Sequence, residues 1–114
     1  MLRSVIVSLV CFLVTTVARA EPDTASGNYW IDRCKRQDVP CLAYVMAMQD
    51  MNDIQPSFGN KYLWCVPNGV TLAQELRVIT AEMDRYPDMM HHPFFAIASH
   101  ALIVAFPCSR AIGR

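Results

Sequence analysis

The chain has 114 residues, 54% of them hydrophobic and 18% charged, with ten basic side chains against ten acidic ones and five cysteines. Such a length supports one domain, and neither sign of charge gathers into a block, which argues against nucleic acid or an anionic membrane surface as the partner. A core of this size is marginal by itself, so cysteine usage becomes informative.

The N-terminus reads as a secretory leader. Met1 to Arg3 is a short basic stretch, Val5 to Val17 is a nearly unbroken apolar run, and Ala18-Arg19-Ala20 is a small-x-small cleavage site. The apolar run falls short of the roughly 20 residues that span a bilayer. Cleavage after Ala20 therefore predicts an exported, periplasmic protein with no membrane attachment. It discards Cys11 and leaves 94 residues carrying ten acidic and eight basic side chains, a formal charge of −2. The four remaining cysteines, Cys34, Cys41, Cys65 and Cys108, contain no CxxC pair of the kind metal sites use. An even number in a small exported chain reads as a disulfide framework with three possible connectivities.

Residues 21–26 are polar and contain proline, which predicts a flexible tail. Ser26, Gly27 or Asn28 then caps a short helix from Tyr29 to Lys35. Asp38 followed by Val39-Pro40 marks a second helix start, because proline in the first turn loses no hydrogen bond. This helix is expected over Pro40 to Ile54, with Gln55-Pro56-Ser57 and Gly59 stopping it. A single continuous helix would hold Cys34 and Cys41 roughly 10 Å apart, beyond the ~7 Å limit for a bridge. The turn at Gln37 to Pro40 removes that obstacle and pairs Cys34 with Cys41.

Phe58, Tyr62 and Trp64 lie in the next connector, where they serve either interior packing or a partner-binding aromatic patch. Asn68-Gly69 makes a turn. Thr71 with Gln74 three residues on forms a capping box, and Leu72, Leu76, Ile79 and Met83 recur at helical spacing as a buried stripe. Gln74, Glu75, Arg77, Glu82 and Arg85 fall mostly on the other faces. Tyr86-Pro87 ends the helix, Asp88 to His92 connects, and the last helix runs from Pro93 to Phe106. That helix is apolar nearly all round, which suits the centre of the bundle or the interface of a homodimer. The last two helices form an antiparallel hairpin with one cysteine before it and one after, which pairs Cys65 with Cys108. On a chain-entropy basis the short loop contributes ~2.5 kcal/mol and the long one ~4 kcal/mol. Those terms rival the roughly 3 to 5 kcal/mol a core this small supplies, so full reduction is expected to unfold the domain or nearly so. The expected fold is all-α, a small bundle of four to five helices with two disulfides, in one domain over 27–110 followed by a short tail at 111–114.

Cys65-Val66-Pro67-Asn68-Gly69-Val70-Thr71-Leu72, the helix ending in Tyr86-Pro87, and the terminal Ala105-Phe106-Pro107-Cys108 resemble the Rap/Tai family of immunity proteins. Ser26-Gly27-Asn28-Tyr29 and Cys41-Leu42-Ala43-Tyr44-Val45 fit the same pattern, so the resemblance covers almost the whole mature chain. It implies a helical periplasmic domain, often dimeric, that binds a peptidoglycan amidase effector delivered by a type VI secretion system and covers that enzyme's Cys-His nucleophilic pair.

The loop between the last two helices is the candidate partner-binding site: Tyr86, Asp88, Met89, Met90, His91 and His92. Loops on rigid scaffolds commonly carry function, and exposed methionines adapt to irregular surfaces. The alternative is that Met89 and Met90 enter the core while a histidine caps the last helix. Met-Met-His-His also suggests Cu(I), which thioether and imidazole suit. Adjacent side chains diverge, however, and His100 would lie some 12 Å from His92 along a helix, so no metal or cofactor is expected. Nor is an enzyme: the cysteines are spent on bridges, the serines lack a nucleophile-elbow setting, and Asp50 and Asp53 sit on a solvated helix face. The competing function is a periplasmic, stress-related chaperone that exposes apolar surface when its carboxylates protonate.

Overall fold

A computed structural model of the chain describes residues 23–108; the expected leader with its cleavage site at 1–20 and the expected C-terminal tail lie outside the described residues. Within them are four α-helices and no strand: α1 (Gly27–Lys35), α2 (Val39–Ile54), α3 (Leu72–Arg85) and α4 (Phe94–Ala105), with 3-10 turns at Gln55–Phe58 and Pro87–Met89. None of the described helices is long and apolar enough to cross a membrane. The all-α architecture with two bridges is as the sequence predicts.

The segment expected as a free tail is instead tied down from Asp23 onward. Trp30 Nε1 donates to the Thr24 carbonyl at 2.7 Å, and the Phe94 amide donates to the Ala25 carbonyl at 2.6 Å. Ser26 is buried and pairs with Pro93 in an isolated antiparallel bridge. Ser26 occupies the N-cap position, but its side chain does not cap the helix; its hydroxyl donates to the Asp23 carbonyl. The first free amides of α1 find other acceptors: Gly27 donates to the His92 carbonyl at 3.0 Å and Asn28 to the Met90 carbonyl at 2.9 Å. Helix-end donors are costly to bury unpaired, and here a distant loop satisfies them. The helix accordingly begins two residues before the predicted Tyr29.

Between α1 and α2 the chain reverses through Gln37, whose φ of +54° is unusual for a residue with a Cβ. Asp38 then caps α2, its carboxylate accepting from the Cys41 amide at 3.1 Å. This reversal brings the Cα atoms of Cys34 and Cys41 to 5.2 Å, and they are bridged.

The connector after α2 is held by a buried asparagine. Asn52 Nδ2 donates to the Trp64 carbonyl at 3.0 Å, while its Oδ1 accepts from the Leu63 amide at 2.8 Å and the Trp64 amide at 3.4 Å. Trp64 is fully buried, whereas Phe58 is 72% exposed and Tyr62 is exposed as well. The two readings of the connector aromatics thus divide among the three residues.

At α3, Thr71 Oγ1 accepts from the Gln74 amide and Gln74 Oε1 accepts from the Thr71 amide, the complete capping box. Leu76, Ile79 and Met83 are buried and Leu72 is partly so. Glu75, expected on an outer face, is instead only 6% exposed. Gln49 of α2 donates a side-chain hydrogen bond to it and accepts one from Trp64 Nε1 at 3.0 Å. Loss of water raises the Glu75 carboxyl above its ordinary pKa; the Gln49 hydrogen bond opposes this, and the nearby charge of Asp53 adds to it.

Helix α4 packs antiparallel on α3, the mouth of the hairpin closed by a Cys65–Cys108 bridge with Cα atoms 4.9 Å apart and by the Cys65 amide donating to the Phe106 carbonyl at 2.8 Å. Phe94, Ile97, Ala98, Ala101 and Leu102 of α4 are buried, while Phe95, Ile103 and Val104 are exposed. Trp30, Tyr44 and Phe94 join α1, α2 and α4 in one aromatic cluster with ring centroids 4.9 to 5.6 Å apart.

Candidate partner-binding surface

At the end of the hairpin opposite the Cys65–Cys108 bridge, Pro87 cannot continue α3, and the chain turns through Pro87–Met89 before Pro93 starts α4. The loop is internally bonded: Met89 donates to the Tyr86 carbonyl and His92 to the Met89 carbonyl, both at 3.0 Å. It is also anchored from outside, because the Met90 and His92 carbonyls accept the first amides of α1. No glycine lies within 86–92.

The six predicted residues are not equivalent. Tyr86 and Met89 are about two-fifths exposed, Asp88 and His91 are exposed, and His92 is half-buried with its ring centroid 4.1 Å from that of His91. The Arg85 guanidinium lies over the Tyr86 ring, 5.5 Å from its centroid. Met90, by contrast, is 5% exposed and belongs to the core. Its Cε lies 3.2 Å from where a Cβ on Gly27 would stand, and Ile97 Cδ1 lies 2.7 Å from the same point. The Met pair thus splits, one thioether serving as the loop's anchor and the other facing outward. Alternation of burial in a turn depends on where the rest of the fold closes over it, and nothing local in Met89-Met90 signals it.

A second apolar surface was only partly readable. Between α2 and α4 lies an open depression of ≈ 230 Å³ lined by Tyr44, Ala47, Met48, Met51 and Phe95. Val39, Met46 and Ile54 of α2 and Ile103 and Val104 of α4 are also exposed. The all-round apolarity of α4 points to this. The same feature in α2, where valine, methionine and isoleucine lie outside the buried stripe, was the available signal for the rest. Charged side chains concentrate instead on α1 and α3, which are joined by a Lys35–Asp84 ion pair at 2.7 Å.

Among the described residues no group of three or more His, Cys, Asp or Glu side chains is placed to hold a metal ion. His100 pairs with Glu82 at 2.9 Å, on the far side of α4 from the depression and engaged with α3. All four cysteines of the described region are bridged.

No curated protein and no solved structure matches this chain. A family model described as Rap1a immunity proteins matches residues 26–108, the whole bundle from the N-cap of α1 to the final cysteine. The chain therefore belongs to the Rap1a immunity protein family.

Proposed function

We propose that this protein is a periplasmic immunity protein that binds a peptidoglycan amidase effector of a type VI secretion system and covers its active site. The observation that carries the reading is the family match across 26–108, which makes a secreted effector the partner. Membership of an immunity family accords with a protein that works by contact and performs no chemistry. The leader-like residues 1–20 support the periplasm as the place of action, where peptidoglycan lies. The motifs quoted from Cys65 to Leu72 and at 105–108 support an amidase as the target.

On this reading the 86–92 loop is the occluding element, with Tyr86, Asp88, Met89, His91 and the half-buried His92 making contact and Met90 holding the loop from beneath. Exposed Phe95, Ile103 and Val104 on α4 are the contacts of a homodimer, an isologous arrangement in which one apolar face covers its own copy. Co-purification of the mature protein with candidate amidases encoded beside it tests the partner; equimolar capture with loss of peptidoglycan cleavage is expected, and full amidase activity in excess immunity protein contradicts it. Light scattering reads the dimer.

The exposed apolar groove between α2 and α4 favours one other reading, a chaperone that shields unfolded clients. Suppression of aggregation of unrelated proteins at about pH 3, without capture of any amidase, would support that reading and replace the first.

A further inference from the structure

The two bridges differ in their access to solvent, a contrast that the immunity reading neither uses nor explains. We propose that Cys65–Cys108 is a thiol–disulfide exchange site in the folded protein, open to a small dithiol or to the dithiol of an oxidoreductase, whereas Cys34–Cys41 is closed to both. Cys34 is 1% exposed and Cys41 0%. Cys108 is exposed, Cys65 is half-buried, and the Cys108 sulfur lies 3.8 Å from the Tyr62 carbonyl at the mouth of the hairpin. Exchange requires a thiolate to approach a sulfur along the S–S axis, so access ranks the bridges. Loop entropy alone ranks them the other way, since the exposed bridge closes the longer loop, with a sequence separation of 43 against 7.

The exchange is a two-electron step. A dithiol's thiolate attacks Cys108 Sγ, forming a mixed disulfide and releasing the Cys65 thiolate, which takes up a proton. The second thiol of the reductant then attacks the mixed disulfide, leaving the reductant oxidised to its disulfide and Cys65 and Cys108 as free thiols. The fold survives this step because the hairpin does not depend on the bridge alone. The Cys65 amide still donates to the Phe106 carbonyl, the packing of Leu76, Ile79 and Met83 in the common core with Ile97, Ala101 and Leu102 is untouched, and Asn52 still holds Leu63 and Trp64. What loosens is the neighbourhood of Tyr62, an exposed residue beside the Cys108 sulfur.

Oxidised protein is treated with graded dithiothreitol, quenched with iodoacetamide and mapped by peptide mass spectrometry, with far-UV circular dichroism in parallel. Alkylation at Cys65 and Cys108 at least about tenfold faster than at Cys34 and Cys41, with the helical signal retained, is the expected result. Opening of both bridges together with loss of helix, or of Cys34–Cys41 first, overturns the proposal. The double variant Cys65→Ser/Cys108→Ser is expected to keep helix and the Cys34–Cys41 bridge; should it fail to fold, the partial-reduction map on the native chain still decides.

Discussion

Asn52 satisfies three backbone groups of the connector at once, so its amide does the work that a strand partner does elsewhere. Asn52→Ala leaves the buried carbonyl and amide of Trp64 and the part-buried amide of Leu63 without this partner, at about 1–3 kcal/mol for each group that water cannot reach. A loss of at least roughly 2 kcal/mol, read by urea denaturation monitored by tryptophan fluorescence, is expected. Glu75 behaves differently, because burial favours its protonated form in the folded state. Its contribution to stability is fully present below the ordinary glutamate value of 4.5 and is lost as pH rises through the elevated folded value. The Glu75 contribution to stability should therefore fall between 4.5 and the raised folded value, and that part of the slope should be missing in Glu75→Gln, which should be at least as stable as the native chain near neutral pH. Thermal midpoints of both proteins across that range measure it. Protonation of Glu75 thus tightens the fold on acidification, the opposite of what an acid-opened chaperone would use. Neither role was legible in the sequence: Gln49 meets Trp64 across 15 positions and Glu75 across 26, and spacing along a helix carries no information about such meetings.

At the scale of elements, the readable features were those whose partners lie within one turn. The Thr71–Gln74 capping box, the Asp38 cap with Pro40 behind it, and the turn at Gly69, whose φ is +92°, all rest on residues two to four apart. Thr71→Ala removes the cap of α3 and should cost about 1 kcal/mol in thermal or urea denaturation. The bridges were readable for a related reason: one follows from a short turn and the other from the ends of a hairpin, and both conditions are local. The start of α1 was not, because its amides are capped by carbonyls more than sixty residues away; within the segment expected as a tail, the Thr24 and Ala25 carbonyls accept from Trp30 and Phe94. The loop at 86–92 and the entry to α1 therefore form one unit. Gly27→Ala forces a Cβ against Ile97 and Met90; overpacking costs about 1–3 kcal/mol against at most ~1 kcal/mol of helix propensity gained. Hydrogen exchange should show the Asn28 amide losing protection in that variant, which reports loosening of the loop directly.

Among the described residues, α1 and α3 meet through the Lys35–Asp84 ion pair, whereas an open apolar groove lies between α2 and α4 and further apolar side chains of these two helices are exposed. A domain this small uses two bridges and an aromatic cluster to hold such a surface open without collapsing onto it. On the proposed function, this preformed scaffold neutralises a secreted cell-wall hydrolase by covering it, with the 86–92 loop making the contact. The direct measurement is peptidoglycan hydrolysis by a candidate amidase effector, titrated with the oxidised protein and with a Met89→Asp/His91→Asp variant. Complete inhibition at equimolar ratio by the native chain is expected, with at least about tenfold weaker inhibition, some 1.4 kcal/mol, by the variant at unchanged stability. Undiminished hydrolysis in excess native protein, or equal inhibition by both proteins, would contradict it.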